Sequence, residues 1–328
     1  MNTLDITQAS LGLRTEESLM KTVLITGANS YIGTSFEDYV HQHYADQLSI
    51  TTIDMIDGSW REKHFTLDGR AVEDGGQPYD VIFHVAGLAH ADVGNVSEET
   101  KRKYYAINTD LAIETCKKAK DDGVGQFVFM SSMIVYGKAT HIDKTTKPHP
   151  ANFYGDSKWK ADKGVRKLAT APGEDGKGGF VVTVLRPPMI YGKGSKGNYP
   201  QLSRIARKVP VFPDYKNKRS MLYIENLCEF LAQVMIKTCG GVFFPQNAEY
   251  SSTSGIVREI GKAHGKRVLV TRVLNPAVSI AKRFPIKKIR DLSSKAFGDS
   301  WYEQDMSQYE NLDYQKIDLK TSIKRTEG

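Results

Sequence analysis

Sulfur chemistry is nearly missing from this chain. Cysteine occurs 3 times in 328 residues, at positions 116, 228 and 239. Thiols so few and so scattered cannot build a disulfide framework or a zinc site, and they fit a reducing, cytoplasmic setting. They read as small apolar fillers. Long apolar runs are also missing: none approaches ~18 residues, so no membrane-spanning helix is expected. No secretion signal is expected either, because Asp5, Arg14, Glu16 and Glu17 interrupt the N-terminal stretch. Residues 1–20 are polar and aperiodic. They read as a flexible extension, or as sequence ahead of a true start at Met20. The balance is ordinary, with 40% hydrophobic, 10% aromatic and 25% charged residues. That excludes wholesale disorder, collagen and coiled coil.

What is present is alternation. TVLIT (22–26), LSITTID (48–54), DVIFHVAG (80–87), QFVFMSS (126–132) and FVVTVLR (180–186) read as strands. Helical patterns stand between them, over about 31–44, 98–121 and 154–170, and APGEDGKGG (171–179) reads as a loop. Strands alternating with helices predict an α/β fold with a parallel sheet covered on both faces. After Pro187 the elements shorten and basic residues thicken. The expected organisation is therefore an α/β domain over 21–186 and a smaller region over 187–328.

The run TGANSYIG sits between a strand and a helix, with Gly27 and Gly33 six residues apart. The first glycine permits a tight turn, and the last permits close helix–strand packing. The helix N-terminus offers N–H groups and a positive dipole end to a pyrophosphate. Ser30 stands where a third glycine is usual, and its hydroxyl suits a phosphate. Asp54 ends the second strand about 20 residues later, where a carboxylate accepts from ribose hydroxyls. A carboxylate there repels a 2′-phosphate, which favours NAD over NADP. Asp57 is a rival for the same role.

Ser131 and Ser132 end a strand, and Tyr154 and Lys158 stand at i and i+4 on a predicted helix. A free tyrosine, with pKa ~10, is a poor base at neutral pH. A neighbouring ammonium and a positive nicotinamide ring are expected to lower that value. The phenolate then takes a hydroxyl proton while hydride leaves, and a serine hydroxyl steadies the same oxygen.

TGANSYIG (26–33), DVIFHVAG (80–87), Asn108, FMSSMIVYG (129–137), YGDSK (154–158) and VLRPPMIYG (184–192) together resemble the extended short-chain dehydrogenase/reductase family. Within it, the likeness is to the NAD-dependent epimerase/dehydratase group, over about residues 21–272. The resemblance implies a Rossmann-type doubly wound sheet with a C-terminal substrate-binding region, and nucleotide-sugar chemistry in the cytoplasm. It makes Tyr154 the catalytic base and acid, Lys158 its partner and Ser132 the hydroxyl contact. It sets Gly27, Ser30, Tyr31, Ile32, Gly33, Asp54, Asp68, Ala86, Gly87, Ser131, Tyr154, Lys158 and Pro187 against the cofactor. Asn108 is expected to be structural. Two departures matter. Met133 and Ile134 stand where the family's 4,6-dehydratases carry an acidic pair, so 4,6-dehydration is not expected. Ala89 stands where galactose-type epimerases place a lysine, and His90 beside it is a candidate for the nicotinamide or the substrate.

On the substrate side, GNYPQLSRIARKVPVFP (197–213) and NKRSMLYIENL (217–227) match the family's nucleotide-closing regions. Phe212, with Val211, resembles the wall over uracil, and Arg219 matches the diphosphate arginine. Asn198 and Arg204 are further candidates. The leading expectation is a carbon-4 epimerase of a UDP-sugar in a surface-polysaccharide pathway, with NAD held throughout. The rivals are a 4-ketoreductase of a 4-keto-6-deoxy sugar and a non-catalytic dinucleotide-binding regulator. A homodimer is implied by resemblance. His41 and His43 point apart and share no metal, and His84 reads as a satisfied buried histidine.

The net charge of +7 is uneven. Residues 1–257 carry +1, residues 258–297 carry +9 and residues 298–328 carry −3. No nucleic-acid recognition motif accompanies the excess. The basic and apolar stretch 275–298 reads either as a solvated helix face or as a weak contact to anionic membrane.

Overall fold

The computed structural model describes residues 20–27, 29–88, 96–171, 179–283 and 296–328. His90, most of the 171–179 loop, the N-terminal extension except Met20, and residues 284–295 of the basic stretch lie outside them. The chain divides into two compact units. One comprises Met1–Gly137, Pro148–Arg186 and Cys228–Phe243, and the other Lys138–Lys147, Pro187–Leu227 and Phe244–Gly328. The chain crosses at 186/187 but also passes back and forth elsewhere, so neither unit is one continuous segment.

In the first unit the expected strands form in place. They are β1 (Lys21–Thr26), β2 (Leu48–Ile53), β3 (Val81–His84), β4 (Gln126–Met130) and, further on, β6 (Val181–Leu185). A sixth, β10 (Gly241–Phe243), joins them. All pair in parallel, in the order β2-β1-β3-β4-β6-β10. This is the doubly wound parallel sheet expected. Strand order reverses between β1 and β3, the point where α/β sheets open a crevice for ligands.

Near-continuous β-branched and aromatic runs suit strands buried on both faces. Leu24, Ile82, Phe127, Val182 and Val184 face a core shared with Ala112, Cys116, Ala161 and Val165. These last four lie on α3 (Leu111–Asp121) and α4 (Phe153–Arg166). On α1 (Tyr31–His43), Phe36 sets its ring edge-on to Phe83 at 5.5 Å. Cys116 and Cys228 are buried as fillers. The helix expected over 98–121 is not one rod. α2 (Glu98–Tyr105) and α3 are joined by a π-turn, Ala106–Asp110. Asn108 supplies the reason. Turned inward, its Oδ1 accepts from the Leu88 N–H at 2.7 Å, and its Nδ2 donates to the Leu88 carbonyl at 3.1 Å.

The second unit is built from two-stranded pairs and helices. β5 (His141–Ile142) pairs with β12 (Trp301–Tyr302), and β7 (Met189–Tyr191) with β9 (Met221–Tyr223). β8 (Val211–Pro213) pairs with β11 (Leu269–Thr271). α5 (Asn198–Ala206), α7 (Thr253–Ala263) and α9 (Leu319–Glu327) pack together. α6 (Ile224–Ile236) follows β9 and belongs to the first unit from Cys228 onward, and α8 (Asn275–Arg283) follows β11. Among the described residues no helix is long and apolar enough to cross a membrane.

Candidate active site

The glycine turn is tight for visible reasons. Gly27 has φ +86°, and a Cβ there would lie 2.8 Å from the backbone N and Cα of Ala86. Only glycine lets β1 and the end of β3 approach this closely. Ser30 caps α1, its Oγ accepting from the Gly33 N–H at 3.0 Å. The position of the missing third glycine is thus filled by a helix cap. Tyr31 and Ile32 open the helix, where N–H groups have no intrahelical partner. The Tyr31 phenol is buried without a hydrogen-bond partner, and burial pushes its pKa up.

Asp54 follows β2 directly. The Gly27 N–H donates to the Ile53 carbonyl at 3.2 Å, which ties this strand end to the glycine turn. Asp54 is exposed, and one carboxylate oxygen accepts from the Ile56 N–H at 2.9 Å. Its rival Asp57 spends Oδ1 on the backbone N–H and hydroxyl of Ser59, which hold its pKa down. Asp68 is exposed and bound to Arg70.

A chain of contacts runs from the glycine turn to the lysine. Gly27 lies against Ala86, and a Cβ on the neighbouring Gly87 would stand 3.2 Å from the Lys158 ammonium. Lys158 donates to the Met130 carbonyl at 3.1 Å, at the end of β4. The ammonium also lies 5.4 Å from the Phe129 ring centre. Burial brings its pKa down to about 8.

Beyond Met130, Ser131 is buried and its Oγ has no hydrogen-bond partner. Ser132 is only half-buried, and its Oγ accepts from the Ile134 N–H at 3.2 Å. That bond leaves the Ser132 hydroxyl hydrogen for another acceptor. Tyr154 shares the α4 face of Lys158, and the Tyr104 ring meets it edge-on at 6.0 Å.

The expected lowering of the tyrosine pKa is not what the chain produces by itself. Burial, and then Tyr104, push the Tyr154 phenol up to about 12. The Lys158 ammonium does not offset this, being directed to the Met130 carbonyl. His84 was expected to be satisfied but is half so. Nδ1 shares a hydrogen bond with the Thr26 hydroxyl at 2.8 Å, while buried Nε2 has no partner. Burial, with the nearby Lys158 charge, drives its pKa down to about 3, so this imidazole is neutral.

Sequence reasoning missed Tyr104 and the Met130 carbonyl. Both are contacts across elements, which no local spacing signals.

The remaining candidates belong to the second unit. Pro187 is buried, while Asn198 and Arg204 are exposed on α5. Val211 and Phe212 are neighbours on β8, so they face opposite sides. Val211 is exposed beside Leu269, whereas Phe212 packs on Phe297 with ring centres 5.8 Å apart. Arg219 directs Nη1 toward the Ala296 carbonyl at 3.4 Å, and burial lowers its pKa. Phe297 also lines a cavity of about 450 Å³ with Asp214, Tyr215, Lys216, Arg272, Asn275 and Asp299. Among the described residues no cluster of His, Cys, Asp or Glu is placed to hold a metal ion.

The first unit's residues fit a dinucleotide: a glycine cradle that a Cβ would fill, a capped helix start, and a strand-end carboxylate. Fold and geometry together are those of a nicotinamide-dinucleotide enzyme. Residues 23–242 match the model of the NAD dependent epimerase/dehydratase family, and the chain belongs to it. It is an NAD(P)-dependent enzyme of the nucleotide-sugar epimerase and reductase kind. It is 27% identical over 271 residues to UDP-glucose 4-epimerase from Vibrio cholerae, covering 76% of this chain and 78% of that one. It is 28% identical over 232 residues to N-acetyl-alpha-D-glucosaminyl-diphospho-ditrans,octacis-undecaprenol 4-epimerase from Escherichia coli O157:H7, covering 67% and 64%. The crystal structure of UDP-glucuronic acid 4-epimerase from Bacillus cereus in complex with NAD shares the fold. There the TM-score is 0.63 at 15% identity, over 93% of this chain and 96% of that one.

Proposed function

We propose that this chain is an NAD-dependent epimerase that inverts carbon 4 of a sugar carried on a diphosphate. A UDP-sugar bound for surface polysaccharide is the first candidate. The observation that carries the reading is the contact chain Gly27–Ala86–Gly87–Lys158–Met130. It sets a phosphate-binding turn beside a Tyr–Lys pair within one unit. Both curated relatives named above are 4-epimerases of diphosphate-linked sugars, which supports the choice of carbon and of substrate class.

In this mechanism Tyr154, as the phenolate that a neighbouring positive nicotinamide ring would favour, takes the proton from the 4-hydroxyl and later returns it. Ser132 donates its free hydroxyl hydrogen to the same oxygen. Lys158 stays protonated and would hold the cofactor ribose. NAD held there would supply the hydride acceptor, and then the hydride donor, for carbon 4. Gly27, Ser30, Tyr31, Ile32, Gly33, Ala86, Gly87, Ser131 and Pro187 line the cofactor, Asp54 its adenosine ribose and Asp68 its adenine. Phe212 covers the nucleotide base and Arg219 pairs with the diphosphate, with Asn198, Arg204 and His90 as supporting candidates. Met133 and Ile134 offer no acid to a leaving hydroxyl, which argues against 4,6-dehydration.

The test is to denature purified protein, identify any released dinucleotide by chromatography, and incubate intact protein with UDP-sugars. The reading expects tightly held NAD and epimer formation with no added cofactor. Turnover only with added NADH or NADPH and a 4-keto sugar would replace it with a ketoreductase. Dinucleotide binding without any turnover would replace it with a regulator.

A further inference from the structure

One face of the second unit combines exposed aliphatic side chains with cations. β8 and β11 pair in register, with Val211 beside Leu269. Both point outward, and Leu269 is 58% exposed. The short 3₁₀ turn Arg272–Leu274 follows β11 and packs against β8. It carries Val273 at 82% exposure. α8 then packs on that turn and presents Ile280 at 62% exposure. Two bonds stitch the segments together. The Leu269 N–H donates to the Pro210 carbonyl at 2.8 Å, and Lys266 Nζ to the Arg207 carbonyl at 2.7 Å.

Single exposed aliphatics are ordinary on a protein surface. Their surroundings here are not. Segments 201–216 and 264–283 together hold nine Lys and Arg and a single acid, Asp214. That acid lies 3.6 Å from Arg272. Arg207, Lys208, Lys266, Arg267 and Arg283 of these same segments are exposed. A polynucleotide would use the cations but gains nothing from Leu269, Val273 and Ile280. An acidic headgroup layer over hydrocarbon uses both.

We propose that this face, the Val211–Leu269 strand pair with Val273, Ile280 and their flanking cations, docks the chain on an anionic bilayer surface. The aliphatic side chains enter the headgroup boundary and the cations meet lipid phosphates. The contact is peripheral and weakens with salt, because exposed charges are screened over ~10 Å at about 0.1 M. It is independent of which sugar the enzyme takes.

The experiment is co-sedimentation of the full chain with vesicles at about 0.1 M salt. Neutral vesicles are pure phosphatidylcholine, and anionic ones include phosphatidylglycerol. We expect partition onto the anionic vesicles, at least about tenfold stronger than onto neutral ones, since each cation near the surface adds about fivefold. The variant Leu269→Ser/Val273→Ser/Ile280→Ser should lose about tenfold or more while keeping its turnover and melting temperature. Arg207→Glu/Arg267→Glu should lose the preference for anionic lipid. Equal partition onto both vesicles, no partition onto either, or undiminished partition of the serine variant would overturn the proposal. So would binding to duplex DNA that excludes the vesicles.

Discussion

Asp162 of α4 and Arg186 at the end of β6 form a two-pronged ion pair. Arg186 Nε and Nη2 donate to the two Asp162 carboxylate oxygens, each at 2.9 Å. Asp162 is fully buried, and Arg186 Nη1 also donates to the Tyr136 hydroxyl at 2.8 Å. α4 carries the proposed base Tyr154 and its partner Lys158, so this pair fastens that helix to the sheet. Removing one partner strands a buried charge. Asp162→Ala should therefore cost about 3–5 kcal/mol in denaturant unfolding. Asp162→Leu with Arg186→Met should cost markedly less than Asp162→Ala. Equal losses would show that the charge itself is not what matters.

Tyr154→Phe removes the proposed base and keeps the ring against Tyr104. Turnover should fall by at least about 10²–10⁴. NAD retention and unfolding midpoint should stay near those of the parent. Surviving turnover would move the base elsewhere.

Lys158 makes stability depend on pH. Burial lowers its pKa to about 8 from 10.5. Between those values the unfolded chain binds more protons, so stability rises with pH across about 8 to 10.5. Tyr154 works the other way above about 10, because its phenol is raised to about 12 in the folded chain. Unfolding free energies of cofactor-free parent and Lys158→Met, compared from pH 7 to 10, should show a rise in the parent that the variant lacks. Parallel curves would contradict this.

Gly27→Ala should weaken both fold and cofactor site. The positive φ costs ~1–2 kcal/mol for a residue with a Cβ, and the contact with the Ala86 backbone adds to it. Gly87→Ala is gentler on the fold but presses on the Lys158 ammonium. Its kcat should fall more than its melting temperature does.

Asp54→Ala removes a carboxylate beside the glycine turn. A hydrogen bond to a charged group is worth about 1.5–3 kcal/mol, so NAD affinity should drop about tenfold or more. NADP should lose less, because repulsion of its 2′-phosphate goes too. An unchanged NAD-to-NADP ratio, measured by fluorescence titration, would point to Asp57.

The sheet was legible because its strands are buried on both faces and read as β-branched runs bounded by turns. The glycine turn and the Tyr154–Lys158 spacing were legible because each is local: a strand-to-helix junction and one helical turn. What escaped depends on distant residues. The protonation of Tyr154 reflects burial and Tyr104, not its neighbour four residues on. Nothing in HFTLD announces that Asp68 is tied to Arg70. Val211 and Phe212 read as one apolar wall until strand alternation separates them. The sixth strand, β10, is three residues long and left no periodic signal.

The π-turn at Ala106–Asp110 has a mechanical consequence. One residue beyond the α-helical count shifts the angular phase of everything after it by about 100°. A single ruled stripe along 98–121 would therefore aim only one half of that helix at α4. At the junction, Tyr105 of α2 donates to Asp156 at 2.7 Å and Thr109 of the turn donates to the Ser157 carbonyl at 2.7 Å. α4 is thus gripped on two consecutive residues, Asp156 and Ser157, at the point where the partner helix passes into the turn. Chain length here is the specification: deleting one residue from the turn would rotate Asn108 out of reach of Leu88, although every side chain named in the chemistry would still be present.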